Sequence, residues 1–150
     1  RTLARGLSPV SIERGGLLSA LRTLAAQSTE AFGVAISVRT RLAIELRLEE
    51  SAANHLYRIV QEAISNALRH GRARHIRINL AGDARTIRLS IADDGRGIER
   101  HATDRGGMGL RTMRYRAQVI GGQLEVLRQS QGGTVVRCAC PQGARAAKHA

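Results

Sequence analysis

The chain of 150 residues is 43% hydrophobic and 24% charged, and its 24 Lys and Arg against 12 Asp and Glu leave a formal net charge of +12. That is one domain's length with enough apolar mass for a real core, and it reads as soluble and globular. No apolar run approaches the ~18 residues of a membrane span, and Arg1 to Val10 lacks the apolar stretch of a secretory signal. The chain does not begin with Met and reads as a piece of a longer protein. Aromatic residues make up only 2%, so Leu, Ile, Val and Ala must build the core. The cationic surplus suits an anionic partner: nucleotide, nucleic acid, acidic protein face or anionic lipid. Spread along the whole chain, it also suits a plain solvated surface.

In chain order, Arg1 to Pro9 ends in LARGLSP, where Gly and Pro stop a preceding helix. Glu13 to Phe32 carries Leu17, Leu18, Leu21, Leu24 and Ala25 at i, i+3, i+4 spacings, an amphipathic helix that Gly33 closes. VAISVRT, Val34 to Thr40, alternates as a strand. A second helix runs from Glu50 to His70 on the apolar stripe Leu56, Ile59, Val60, Ala63, Ile64, Ala67 and Leu68. At ~100° per residue, His55, Arg58, Glu62, Asn66 and Arg69 gather on its opposite face. HIRINL (75–80) and TIRLSIAD (86–93) alternate and pair as a hairpin, with Ile76, Ile78, Leu80, Ile87, Leu89 and Ile91 on one side. Arg77, Asn79, Arg88 and Ser90 point the other way, so the sheet is wetted on one face.

After the polar, glycine-rich stretch 95–107 comes a helix from Met108 to Ile120, stopped by Gly121-Gly122. QLEVLRQ and GTVVRCAC, joined by QGG, complete the strands, and the tail after Pro141 is expected to fray. The i, i+2 spacing of Cys138 and Cys140 puts both on one sheet face, unsuited to bonding each other. They read as reduced core residues in a cytosolic setting, with too few neighbouring ligands for a metal site. The expected fold is α/β, a two-layer sandwich whose mixed, mostly antiparallel sheet is covered on one face by about three helices.

Four short stretches carry chemistry. Glu62 and Asn66, four apart on one helix face, can reach one ligand: the carboxylate to orient or deprotonate a hydroxyl or water, the amide oxygen to ligate Mg²⁺. Asp93-Asp94-Gly95-Arg96-Gly97 ends a strand with a carboxylate able to accept from an amino group, and its glycines let backbone close on a flat ring. Gly106-Gly107-Met108-Gly109-Leu110 opens a helix whose free N–H groups and dipole favour phosphate. Gly133-Thr134 starts the last strand with a hydroxyl that could support a buried acid. Singly these are a solvated helix face, a hairpin turn, a flexible loop and ordinary strand sequence.

In this order, QEAISNALRHG, DDGRGI, GGMGL and GGTVVRCACP resemble the N, G1 and G2 boxes and closing Gly-Thr strand of the histidine-kinase ATP-binding domain. That domain belongs to the GHKL superfamily shared with gyrase and MutL. The resemblance covers about residues 49–141. Residues 1–48 look like the entry to the domain in short-lid, nitrate-sensor-type kinases, with RGLSP ending the dimerisation helix. The resemblance implies a Bergerat-type fold, with 1–10 as linker, 11–141 as catalytic domain and 142–150 as tail.

It also implies that Asp93 hydrogen-bonds the adenine amino group, with Thr134 behind it through a water. Asn66 holds Mg²⁺ against the phosphates of ATP, and Glu62 takes the place of the acid that assists phosphoryl transfer. Gly95 and Gly97 let the chain pass the nucleotide, and Gly107, Met108, Gly109 and Leu110 lie at the phosphate end of a lid. Arg69, His70 and Arg105 are added here as phosphate-side cations.

Two departures qualify the pattern. None of His55, His70, His75, His101 or His149 has the setting of the family's phospho-accepting histidine, so the chain should bind ATP yet lack its own acceptor. The phenylalanine-containing box between Gly97 and Gly106 is also missing, as in short-lid kinases.

The expectation is therefore the catalytic ATP-binding domain of a cytoplasmic sensor histidine kinase, itself monomeric and not membrane-embedded, from a homodimeric protein compatible with a membrane anchor elsewhere. Its partners would be the dimerisation domain carrying the acceptor and a response regulator, not nucleic acid. Rivals are a basic nucleic-acid-binding domain, a GHKL nucleotide sensor and a serine-directed anti-sigma kinase.

Overall fold

The computed structural model describes residues 16–43, 45–97 and 108–147. The elements follow the order α1 (Gly16–Phe32), β1 (Ala35–Leu42), α2 (Glu50–Arg69), β2 (His75–Gly82), β3 (Thr86–Asp93), α3 (Met108–Val119), β4 (Gln123–Arg128) and β5 (Thr134–Pro141). The strands form one sheet in the order β1-β2-β3-β5-β4. β1 runs parallel to β2 because α2 carries the chain back between them, and the remaining pairs are antiparallel.

Each element buries the face its sequence period marks. Leu17, Leu21 and Ala25 of α1 are buried, as are Leu56, Ile59, Val60, Ala63, Ile64 and Ala67 of α2, while Leu68 at the stripe's end is only partly covered. Gly33 stops α1 in the left-handed region, at φ +69°, with its N–H on the Thr29 carbonyl at 2.9 Å. In β2 and β3 the inward residues Ile76, Ile78, Leu80, Ile87, Leu89 and Ile91 are buried, and Arg77, Asn79 and Arg88 are exposed on the far face. The three helices pack on the inward face, giving the expected two layers. β1 continues past Thr40 to Leu42 because its ladder with β2 persists to the Leu42–Gly82 pair.

Cys138 and Cys140 are unbonded and buried. Burial pushes the Cys138 thiol up to about 12, with the neighbouring Cys140 adding to it, and pushes Cys140 up to about 11. Both stay protonated and inert at neutral pH. Among the described residues, no helix is long and apolar enough to cross a membrane. The stretch 1–15, where the linker and the start of the first helix were expected, lies outside the described residues.

The expected fraying of the tail does not hold for residues 142–147. Gly143 N–H donates to the Arg47 carbonyl at 2.6 Å, Glu49 N–H to Ala144 at 3.1 Å, and Ala147 N–H to Val119 at 2.8 Å. Ala146 N–H reaches Ser51 Oγ at 3.0 Å, and Ala144 is buried. The segment thus supplies backbone partners to the entrance of α2 and the end of α3, which would otherwise be left unsatisfied. Deleting residues 143–150 should cost roughly 3–5 kcal/mol at ~1 kcal/mol per lost hydrogen bond, read as a lower urea midpoint. An unchanged midpoint would mean that the tail is dispensable.

Candidate functional site

A cleft of about 820 Å³ opens between the second half of α2, the first turns of α3 and the ends of β3, β4 and β5. Its inner lining is apolar, with Ile91, Met113, Val126 and Val136, and its polar groups stand around it: Glu62, Asn66, Arg69 and His70 from α2, Asp93 from β3. An apolar slot with a few convergent polar groups is the usual form of a small-molecule site.

Strand pleat decides how the two adjacent acids differ. Successive side chains on a strand point to opposite faces, so Asp93 follows Ile91 toward the helix layer while Asp94 turns outward. Asp93 is half-buried, and its Oδ1 accepts N–H bonds from Gly95 at 2.9 Å and from Thr134 at 3.4 Å. Among the described residues both bonds land on Oδ1, which leaves Oδ2 to receive a donor from within the cleft. Burial pushes the Asp93 carboxyl above its ordinary range, the two N–H groups oppose this, and the charge of Asp94 adds to the rise.

Asp94 does a different job. Its Oδ1 accepts from Arg74 N–H at 2.8 Å and His75 N–H at 2.9 Å, and its Oδ2 lies 2.8 Å from His75 Nδ1. Desolvation is the largest single effect and works against ionisation here, but the N–H groups of His75 and Arg74 and the His75 ring together outweigh it and draw the carboxyl down to about 2. The loop after α2 is thereby tied to the end of β3, and Arg96 N–H adds a bond to the Gly71 carbonyl at 2.8 Å. A Cβ at Gly95 would overlap that carbonyl, and one at Gly133 would overlap the Asp93 carbonyl. Gly133, at φ +94°, therefore lets β5 start close enough for Thr134 N–H to reach Asp93.

On the opposite wall, Glu62 and Asn66 sit one helical turn apart. Glu62 Oε2 is 3.6 Å from the exposed Arg69 guanidinium, an ion pair that holds the carboxylate loosely. The first turn of α3 presses on this point: a Cβ at Gly109 would stand 2.5 Å from Glu62 Oε2. Among the described residues, no three His, Cys, Asp or Glu side chains gather into a metal cage. One amide oxygen and one carboxylate at the mouth fit Mg²⁺ only as an ion shared with phosphates and water, which is how Mg²⁺ is usually held.

Of the residues marked in the sequence, Glu62, Asn66, Arg69, His70, Asp93, Gly97, Gly109, Leu110 and Thr134 all line the cleft. Gly95 stands behind the wall against Gly71, and the Thr134 contact seen with Asp93 comes from its backbone N–H. Met108 opens α3, but its side chain, Arg105 and Gly107 lie outside the described residues. Sequence reasoning missed Arg96 and Arg128 at the rim and the apolar set of the lining. The strand period could have found Val126, Arg128 and Val136, which share the inward parity of β4 and β5.

Residues 51–144 match the sequence family of histidine kinase-, DNA gyrase B- and HSP90-like ATPases. The chain belongs to this family. Among its relatives, the oxygen sensor histidine kinase NreB of Staphylococcus carnosus is 29% identical over 142 residues, covering 94% of this chain and 41% of that protein. The nitrate/nitrite sensor protein NarX of Escherichia coli is 32% identical over 121 residues, 81% of this chain and 20% of NarX. The chain thus spans less than half the length of either sensor. The solved histidine kinase domain of the Erythrobacter litoralis EL346 blue-light activated histidine kinase superposes with a TM-score of 0.65. It is 27% identical, and the match covers 84% of this chain and 65% of that one. The two-layer arrangement described above is that of the histidine-kinase ATP-binding domains of this ATPase family.

The unequal acids give a paired prediction. A carboxyl raised on folding favours the folded state below its unfolded value, and that contribution is lost as pH rises through the folded one, so ionised Asp93 is a cost to the free protein at pH 7. Asp94, depressed on folding, contributes above its unfolded value near pH ~4 and loses that contribution as pH falls toward 2. Asp93→Asn should hold or raise the thermal midpoint at pH 7, and Asp94→Ala should lower it, with the Asp94 effect shrinking in acid. Melting curves recorded between about pH 3 and pH 7 would contradict this if Asp93→Asn were the more damaging change.

Proposed function

We propose that this chain is the ATP-binding catalytic domain of a two-component sensor histidine kinase. It would transfer the γ-phosphoryl of ATP to a histidine on an adjoining dimerisation domain, from which a response regulator takes it. The observation that carries this reading is the half-buried Asp93 beside an apolar slot whose other wall presents Glu62 and Asn66 from one helix turn.

In this reading the adenine ring enters between Ile91, Met113, Val126 and Val136, and its amino group donates to Asp93 Oδ2 while Gly95 and Thr134 hold Oδ1 in place. Thr134 also backs the acid through an ordered water. The phosphates then run toward the N-terminus of α3, where free N–H groups at Gly109 and Leu110 receive negative charge. Gly97 passes the chain beside the nucleotide, and Gly107 and Met108 belong to the lid that covers it. Arg69 and Arg105 would add positive charge at that end, with the His70 ring beside them. Asn66 would hold Mg²⁺, which when bound would neutralise phosphate charge. Glu62 accepts the N–H of the incoming imidazole, so that the other ring nitrogen presents its lone pair to the phosphorus in line.

Positioning and charge neutralisation are most of what phosphoryl transfer requires, so the nucleotide domain needs no nucleophile of its own. The whole protein would act as a cytoplasmic-side homodimer, and this chain alone as a monomer. A nucleic-acid reading has less support: Tyr57 is buried in the core, leaving Phe32 and Tyr115 as exposed aromatics on different helices, which is no stacking platform.

Asn66→Asp should leave the fold intact and alter the Mg²⁺ dependence of nucleotide binding. Titration calorimetry with and without Mg²⁺ should show a smaller Mg²⁺-dependent gain than in the unaltered chain, by about tenfold. Labelled ATP supplied together with the separate dimerisation domain should label its histidine, and Glu62→Gln should slow that labelling by about 10²-fold or more. ATP binding without any labelling would leave a nucleotide sensor in place of a kinase.

A further inference from the structure

The face of the sheet turned away from the helices has no described element over it, and the register sets its side chains in rows. One row reads Arg39, Asn79, Ser90, Arg137, Glu125, and the next reads Arg41, Ala81, Arg88, Ala139, Gln123. The third runs from Ser37 and Arg77 to Ala92, Val135 and Leu127. Five exposed arginines therefore share one face with a single strand acid, Glu125. Of these arginines only Arg88 has an ion pair among the described residues, with Asp83 of the β2–β3 turn at 3.2 Å. The centre is low, because Ala81, Ser90 and Ala139 are small, and a trough of about 370 Å³ lies between Arg88 and Arg137.

Collecting like charges without counter-charge costs a fold stability and contributes nothing to its core. With strands ~4.8 Å apart, neighbouring arginines stand roughly 7–10 Å apart, and Arg39 and Arg137, three strands apart in one row, about 14 Å, wide enough for each to meet a separate anion. The apolar end of the third row, where Leu127 is 39% exposed, gives the face a second character beside its charge.

We infer that this face docks an amphipathic helix of a partner protein, with acidic residues on one flank and apolar ones on the next. The acids would meet Arg39, Arg77 and Arg137 while the apolar stripe covers Val135 and Leu127. The low centre lets a helix about 10 Å thick approach the sheet. Nucleic acid fits less well, since phosphates would leave the apolar row uncovered and would meet Glu125. The surface lies on the opposite side of the sheet from the nucleotide cleft, so binding there is independent of ATP.

The test uses a labelled helical peptide of roughly 18 residues with Glu at i, i+4 on one flank and Leu on the next, followed by fluorescence anisotropy at ~0.15 M salt. Arg39→Glu, Arg77→Glu and Arg137→Glu combined should weaken binding by at least about tenfold. A control of equal charge change, Arg22→Glu, Arg47→Glu and Arg145→Glu, should weaken it by less than about threefold, and excess Mg-ATP should not compete. Should the Glu set fail to melt cooperatively, Gln at the same three positions reads the same loss. Those Gln changes should also hold or raise the thermal midpoint of the free protein, since they remove repulsion. Equal losses in both sets, or no peptide binding, overturn the inference. So does a face-specific loss seen with an oligothymidine strand or anionic phospholipid vesicles but not with the peptide.

Discussion

The Asp93 carboxylate is held through Oδ1 by two backbone N–H groups, and both depend on where neighbouring strands begin and end. Thr134 N–H arrives because β5 lies against β3 from its first residue, and it can do so because Gly133 carries no Cβ. Gly95 N–H arrives because the chain turns sharply after β3 and packs against Gly71 at the end of α2. The same turn fixes the distance between the acid and the helix that carries Glu62 and Asn66. The Asp93 carboxylate thus ties the end of β3 to the start of β5, while Asp94 and the Arg96 N–H tie the same corner to the segment after α2.

That arrangement costs stability. Desolvation raises the Asp93 carboxyl, so its ionised form is held against the preference of its surroundings until a ligand donor arrives. Asp94, one residue away and on the other side of the pleat, works in the opposite sense: its bonds to Arg74, His75 and the His75 ring stabilise the loop that walls the site. A strand end with two acids therefore contains one group under strain for binding and one that offsets part of the cost. In the proposed docking the sheet's far face follows a similar pattern, with arginines that lack an acid in the fold meeting those of a partner.

Much of this was legible in the sequence because it depends on local periodicity. The period-two alternation of HIRINL and TIRLSIAD marked the inward face, and the 3.6-residue stripe of α2 separated its buried residues from Glu62 and Asn66. What escaped was non-local and carried by backbone. Nothing in QGARAAKHA says that Gly143 will donate to Arg47 or Ala147 to Val119, since neither bond uses a side chain. The Asp94 clamp joins residues 19 and 20 positions apart, and Asp-Gly as a dipeptide signal says only that a turn is near. Arg96 could not be told from the other cations of an arginine-rich chain without the turn that brings it to the rim, whereas the parity of β4 already set Arg128 on the inward face.

The central claim is that Asp93 reads an adenine amino group, and it is tested most directly by comparing Mg-ATP with Mg-ITP, in which that amino group is replaced by an oxo group. The account predicts that the unaltered chain binds ATP at least about tenfold more tightly than ITP, the loss expected when a charged acceptor faces an oxygen instead of a donor. It also predicts that Asp93→Asn closes most of that gap. Equal affinity of the unaltered chain for the two nucleotides would contradict it.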